Sequence, residues 1–138
     1  MVKASTKRWM ENVAFALQCI SDVAIERQNL SVQYLCGELR SLVEAGDDTR
    51  GCWNMDHIRM TARQLASDLL AAVKFEWREV VIPFVEVKRP THNFGAATFP
   101  DYFAWLSPKQ HYTSEELLGI LEEQERKLTI ALEHLDKV

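Results

Sequence analysis

The sequence is poor in the residues that interrupt regular structure, with five Gly and four Pro among its 138 residues. An all-β protein of this length needs a turn about every eight to twelve residues, and turns draw heavily on both residue types. Three of the four prolines, Pro90, Pro100 and Pro108, also fall within a single stretch, residues 84–112. The scarcity of turn residues elsewhere favours long helices.

The sequence also lacks any apolar run of the roughly 20 residues that a membrane-spanning helix requires. A shorter apolar run at residues 13–20 follows three basic residues, as in a signal peptide, but no small-residue cleavage site comes after it. We therefore interpret this run as part of the first helix of the mature protein and expect no association with membranes.

Cysteines are few and unpaired in sequence. Cys19, Cys36 and Cys52 are odd in number, far apart and outside any CxxC motif, so neither a disulfide framework nor a zinc site is predicted. Free thiols are typical of a reducing compartment, and we expect a cytoplasmic protein.

No charge of one sign dominates. The chain carries 16 Lys and Arg against 20 Asp and Glu, a formal net charge of −4. This balance argues against nucleic acid as the main partner, because nucleic-acid binding is driven by basic patches, and it is too weakly negative to imitate DNA.

What the sequence does contain is helical periodicity. Apolar residues recur at helical spacing from Trp9 to Val23 and onward to Leu30 and Tyr34, after which the pattern shifts to Val32, Leu35, Leu39 and Leu42. The shift predicts a break near residues 28–31, with Asn29 or Ser31 capping a second helix. A loop at residues 46–51 and a third helix from Asn54 or Asp56 to Pro83 follow, the charges of the third helix forming a solvated face.

The firmest local prediction is the start of the final helix. Thr113 and Glu116 have the spacing of a capping box. The helix then carries an apolar stripe at alternating spacings of four and three, typical of a coiled-coil interface. We predict that this stripe packs against a long neighbouring helix, in the same chain or in a second copy, and its candidate oligomerisation residues are Leu117, Leu121, Gln124, Leu128 and Leu135.

Together these patterns predict an all-α fold: one domain, residues 1–138, built as a bundle of three to four helices. A long, irregular, aromatic-rich segment precedes the C-terminal helix. The sequence shows no repeat of 20 to 50 residues, which excludes solenoids and propellers.

Motifs for catalysis are missing. The sequence has no GxSxG elbow, no glycine-rich phosphate loop, no HExxH and no histidine three residues after a glutamate, so we predict no catalytic, cofactor-binding or metal-binding residues. One enzymatic alternative stays open, a magnesium-dependent nucleotide hydrolase with a nonstandard all-α site. Its acidic pairs at helical spacing of three would be Glu76 with Glu79, Glu122 with Glu125, and Glu133 with Asp136.

The most unusual feature is the concentration of aromatic residues before the last helix. Of the 13 aromatic residues, six lie between residues 94 and 112. The rings either pack over the bundle as a satellite core or form an interaction surface beside basic side chains, since aromatic residues commonly supply the main binding energy of interfaces. The candidate partner-binding residues are Lys88, Arg89, Phe94, Phe99, Tyr102, Phe103 and Trp105.

We therefore expect a non-enzymatic protein-binding module, a small regulator, inhibitor or assembly subunit whose partner is another protein. A homodimer through the final helix is a secondary expectation. The alternatives are an accessory or regulatory subunit of a nucleic-acid complex, acting through Lys88 and Arg89, and the metal-dependent hydrolase described above.

Overall fold

A computed structural model describes residues 4–45, 55–81 and 114–137 of the chain. These residues form α1 (Ala4–Glu26), α2 (Leu30–Ala45), α3 (Met55–Phe75) and α4 (Ser114–Asp136), and a π-helical segment, Glu76–Val81, continues α3. No strand occurs in the three described ranges, which confirms the predicted all-α bundle. The aromatic-rich segment, residues 84–112, lies outside them. No helix in the described part of the chain is both long and apolar enough to span a membrane.

The final helix is central to the arrangement of the other three. α4 packs along both α1 and α3 and runs antiparallel to each. Gln124 meets the end of α1, whereas His134 meets Asn12 in its first half. Asp136 meets Arg63 of α3, whereas Gln124 lies at the Arg27–Glu76 pair where α3 ends. α2 folds back along α1 and makes fewer contacts with α3. The apolar side of α4 therefore packs between α1 and α3, which run parallel to each other, and α2 packs mainly against α1.

The four helices share one apolar core. The fully buried side chains are Val13, Ala16, Leu17, Ile20, Ile58, Ala62, Ala66, Val73, Leu117, Leu121, Leu128, Ala131 and Leu135, with Trp9, Val23, Cys36, Leu39, Val43 and Leu69 nearly so. Their spacing within each helix is the three-and-four pattern of a helix with one buried side.

The predicted break between the first two helices is confirmed, and its geometry is well defined. Gln28 adopts a left-handed backbone conformation with φ of 55°. The amide of Gln28 donates to the carbonyl of Ile25 (3.0 Å) and the amide of Asn29 to that of Ala24 (2.8 Å), the two hydrogen bonds of a Schellman motif. Asn29 Oδ1 then accepts from the amide of Val32 at 3.1 Å, so Asn29 also caps α2.

This turn changes which residues of α2 face the core. The buried side of α2 carries Cys36, Leu39 and Val43, whereas Leu35 of the predicted stripe is exposed and Leu42 is half-buried. Leu30 and Tyr34, assigned by the sequence pattern to the apolar face of a continuing helix, point away from the core. Gln28, in its left-handed conformation, interrupts the helix after α1. The apolar spacing of α1 therefore does not predict which residues of α2 face the core.

Candidate functional site

The described part of the chain contains two features that a plain helical scaffold does not require. The first is a polar cluster at one end of the bundle, formed by the largely buried Arg27, Glu76 and Gln124 together with the exposed Glu26. The second is an exposed stripe on α2 that begins with two large apolar side chains.

The polar cluster joins three helices at the end of the bundle where α1 stops. The Arg27 guanidinium donates two hydrogen bonds to the Glu76 carboxylate, Nη1 to Oε2 at 2.9 Å and Nη2 to Oε1 at 2.8 Å. Nη1 also donates to Gln124 Oε1 at 3.0 Å, and Gln124 Nε2 donates to Glu26 Oε1 at 2.6 Å. The side chains of Arg27 and Glu76 are only 10% and 6% exposed, and Gln124 is 1% exposed.

Local backbone geometry places each member of the cluster. Glu26 is the last residue of α1, Arg27 follows it within the Schellman turn, and Glu76 is the first residue of the π-helical segment. A π-helical turn widens the helix and is uncommon, so it marks a local departure from regular packing. Gln124 interrupts the leucine stripe of α4 at the level of this departure.

The cluster is chemically saturated. In the described ranges, no buried side-chain nitrogen or oxygen lacks a hydrogen-bond partner. A bidentate arginine–carboxylate pair is a strong, directional interaction, but it commits the carboxylate of Glu76 to a cation. The arrangement is that of a structural polar cluster that fixes helix positions.

Sequence reasoning singled out two of these residues, each in another role. Gln124 was the polar member of the predicted stripe, and Glu76 was assigned to a solvated face and paired with Glu79 as a candidate hydrolase carboxylate. Glu26 and Arg27 were not singled out. The assignment of Glu76 to a solvated face is wrong, because the side chain is buried against α1. The available signal was Gln124 itself, since a buried amide in an apolar stripe requires polar partners on the neighbouring helices.

The opposite end of the bundle is joined by an exposed ion pair and a half-buried histidine contact. Arg63 of α3 pairs with Asp136 of α4, and both side chains are about half exposed. His134 Nδ1 lies 3.0 Å from Asn12 Oδ1, and its ring lies against Phe15 with centroids 4.5 Å apart. None of these groups converges with others into a cluster of three potential metal ligands, and no such cluster occurs among the described residues.

The second feature is the outward side of α2. Leu30, Tyr34, Gly37 and Ser41 are all exposed and are separated by four, three and four positions, so they lie along one side of the helix. We call these four residues the outer stripe. Leu30 is 75% and Tyr34 68% exposed, the highest values among the large apolar side chains of the described ranges.

Acidic side chains accompany the outer stripe. Glu38 and Glu44 are exposed on α2, and the Tyr34 hydroxyl donates a hydrogen bond to the Glu38 carboxylate, which raises the pKa of Tyr34. The basic residue of α2, Arg40, turns toward α1 instead, where Nη1 donates to Gln18 Oε1 at 2.7 Å. The surface beside the outer stripe is therefore negatively charged.

The predicted oligomerisation residues are all buried within the single chain. Leu117, Leu121, Leu128 and Leu135 are completely inaccessible, and Gln124 is bound in the polar cluster. The stripe packs against α1 and α3, the long neighbouring helices that its pattern required. A dimer through these residues would need α4 to leave its own bundle, and homodimerisation stays an untested prediction.

The other predicted site residues can be placed only in part. Lys88, Arg89, Phe94, Phe99, Tyr102, Phe103 and Trp105 lie outside the described residues, as does Glu79 with respect to its side chain. The remaining acidic candidates for a hydrolase site are spread over different surroundings. Glu76 is bound to Arg27, Glu122 and Glu133 are exposed, Glu125 is half-buried, and Asp136 is paired with Arg63.

The two cysteines within the described ranges are free thiols. Cys36 is buried in the core side of α2, and desolvation raises the pKa of its thiol to about 11. Burial also raises the pKa of Cys19, with the nearby Asp22 carboxylate contributing. A raised pKa keeps a thiol protonated and therefore unreactive, which is typical of a structural cysteine.

The fold and these features define an all-α bundle with a buried polar cluster and an exposed, acid-flanked helix face. Comparison with known proteins adds no further assignment: no protein-family model, no curated protein and no solved structure shows significant similarity to this chain.

Proposed function

We propose that this protein is a non-enzymatic protein-binding module and that the outer stripe of α2 is one of its binding surfaces. The observation that carries the proposal is the exposure of Leu30 and Tyr34, which are 75% and 68% accessible on a helix whose other side already fills the core. Large apolar side chains aligned on one exposed helix face are a common feature of protein interfaces.

Two further observations support binding over catalysis. The buried titratable residues Arg27 and Glu76 are bound to each other, whereas catalytic carboxylates and bases need access to a substrate. Tyr34 is also of the residue type that most often carries binding energy, and its hydrogen bond to Glu38 restrains the ring. The accessory role in a nucleic-acid complex and the nucleotide hydrolase draw no comparable support from the described residues.

The module belongs, in this proposal, to a reducing compartment, the cytoplasm. Free thiols at Cys19 and Cys36 support that location, since oxidising compartments favour disulfides. The aromatic-rich segment stays a second predicted binding surface, with Tyr102 and Trp105 as the residues to test.

The experiment is affinity capture from an extract of the source cells, with bound proteins identified by mass spectrometry. We expect the wild-type protein to retain a partner that the double variant Leu30→Ser/Tyr34→Ser loses. Met60→Ser is the matched control, because Met60 is an apolar side chain 63% exposed on a different helix, α3. If the double variant retains every protein that the wild type captures, the outer stripe is not a binding surface.

Loss of capture is meaningful only if the double variant is folded. Both substituted side chains are exposed, so the helical circular dichroism and the midpoint of thermal unfolding should match those of the wild type. Alanine substitutions at Tyr102 and Trp105, made in the same assay, test the second predicted surface independently.

A further inference from the structure

The core side and the outer side of α2 each carry four residues at the same spacing, but the residue types differ. The core side carries Val32, Cys36, Leu39 and Val43, again separated by four, three and four positions. The outer stripe repeats this spacing on the opposite side with Leu30 and Tyr34 followed by Gly37 and Ser41. Leu30 and Tyr34 are large, apolar and exposed on the same side of α2, so this side can pack against a second helix.

Gly37 is a second unusual feature of α2. It lies in the interior of α2, where glycine destabilises a helix relative to alanine. A Cβ added at Gly37 would meet no atom within 4 Å, so no residue in the described ranges requires the glycine. The absent side chain instead leaves room for a close approach from outside, at the exposed end of the outer stripe where the side chains are small.

The charges on the exposed side of α2 indicate which kind of partner binds there. The exposed charged side chains of α2 are Glu38 and Glu44, whereas Arg40 is half-buried and donates its hydrogen bond to Gln18 of α1. A second copy of this chain packed face to face would place these carboxylates against each other, and like charges disfavour such a contact. Lys or Arg side chains on the incoming surface would complement them.

From these observations we infer that the outer stripe binds an amphipathic, basic helix of a partner protein. The backbone of that helix crosses α2 at Gly37, its apolar side chains cover Leu30 and Tyr34, and its Lys or Arg residues face Glu38 and Glu44. The inference rests on the proposed function and specifies the chemistry of the partner. The outer stripe spans 11 residue steps from Leu30 to Ser41, a length of roughly 16 Å that about three turns of the partner helix would cover.

The probes are two synthetic amphipathic peptides about 18 residues long, with the same leucine pattern and with either Lys or Glu at every polar position. Binding to the full chain is measured by fluorescence anisotropy at low and high salt. We expect the Leu/Lys peptide to bind more tightly than the Leu/Glu peptide by at least about tenfold, and to weaken as salt rises. The charge-reversed variant Glu38→Lys/Glu44→Lys should invert this preference, and an unchanged preference would show that α2 is not the binding face.

Gly37→Ala separates binding from stability. Alanine should raise the midpoint of thermal unfolding by about 2–4 °C, since it favours the helix and meets no clash in the free protein. The same substitution should weaken binding of the Leu/Lys peptide about tenfold, because the added methyl group occupies the crossing point. Gly119→Ala is the matched control: Gly119 is also helical and exposed, with nothing within 4 Å of an added Cβ, but lies on α4.

The outcomes distinguish this inference from the proposed function. Equal binding of the Leu/Lys peptide by the Gly37→Ala and Gly119→Ala variants overturns the crossing at Gly37. If the two peptides bind alike, or if neither binds, the partner is not a basic helix, although capture that depends on Leu30 and Tyr34 would still support a protein-binding module. Loss of that dependence would overturn both.

Discussion

The two ends of the bundle join the same helices by different means. Where α1 stops, Arg27, Glu76 and Gln124 link α1, α3 and α4 through hydrogen bonds shielded from solvent. Where α4 stops, the exposed Arg63–Asp136 ion pair joins α3 to α4, and His134 contacts Asn12 of α1 at a half-buried position. Water screens the exposed Arg63–Asp136 ion pair and competes with it, so burial decides how much each end depends on its charged residues.

The largest effect is expected at the buried end. Arg27→Ala leaves the Glu76 carboxylate in the interior without its guanidinium partner, and we expect the free energy of unfolding to fall by about 3–5 kcal/mol in urea denaturation. The triple variant Arg27→Met/Glu76→Leu/Gln124→Leu replaces the polar groups by apolar side chains and should retain most of the wild-type stability. A triple variant as unstable as Arg27→Ala would mean that lost packing, rather than an unpaired charge, causes the effect.

A smaller effect, independent of both ends, is expected from Cys36 in the core side of α2. Its pKa is raised to about 11 in the folded state from an ordinary value of 9.0. A group with a raised pKa contributes stability that is complete below the unfolded pKa and is lost as the pH rises through the folded pKa. We therefore expect the protein to lose stability between pH 9 and pH 11 through this thiol.

The measurement compares wild type and Cys36→Ala by urea denaturation in reducing buffer at pH 8 and pH 10.5. The stability difference between the two proteins should narrow by about 1–2 kcal/mol at the higher pH, because only the wild type carries the thiol. Other groups that titrate in this range are common to both proteins and cancel. A difference that does not depend on pH would contradict burial of the Cys36 thiol.

The next effect concerns the turn between α1 and α2, which positions Arg27 at the buried end of the bundle. Asn29→Ala removes the side-chain acceptor for the amide of Val32 and should lower the free energy of unfolding by about 1 kcal/mol. Asn29→Ser supplies another capping oxygen and should restore most of the loss. Equal loss in both variants would indicate that the cap contributes little and that the Schellman hydrogen bonds alone hold the turn.

The smallest effect is expected at the surface end. Arg63→Ala removes an ion pair whose two side chains are about half exposed, and we expect the free energy of unfolding to change by less than about 0.5 kcal/mol. Raising the salt concentration should reduce even this difference. A loss approaching that of Arg27→Ala would show that exposure does not separate the two ends.

Much of the fold could be predicted from the sequence because it depends on local patterns. The leucine spacing of α4 required long neighbouring helices, and α1 and α3 supply them. Asn29 was one of two predicted caps, and the break at residues 28–31 followed from the shift in periodicity. The oligomerisation hypothesis was weaker for a physical reason, since an apolar stripe has the same pattern whether its neighbour is in the same chain or in another.

The candidate sites depended on information that is not local. Arg27 and Glu76 are separated by 49 positions, and Arg27 and Gln124 by 97. Considered together with only its neighbours in the sequence, each is an ordinary polar residue. The exposure of Leu30 and Tyr34 was missed for the opposite reason, because a local periodicity was carried across a left-handed turn.

By itself, the sequence determined that the chain forms long helices, where the first two separate and which side of α4 is apolar. These features follow from turn-residue content, capping residues and spacing, which act within a few residues. Only the tertiary structure decided that the polar residue of the α4 stripe meets Arg27 and Glu26, that Glu76 is buried and that α2 keeps an apolar side exposed. Those outcomes depend on how the helices pack, and packing assembles residues that sequence distance separates.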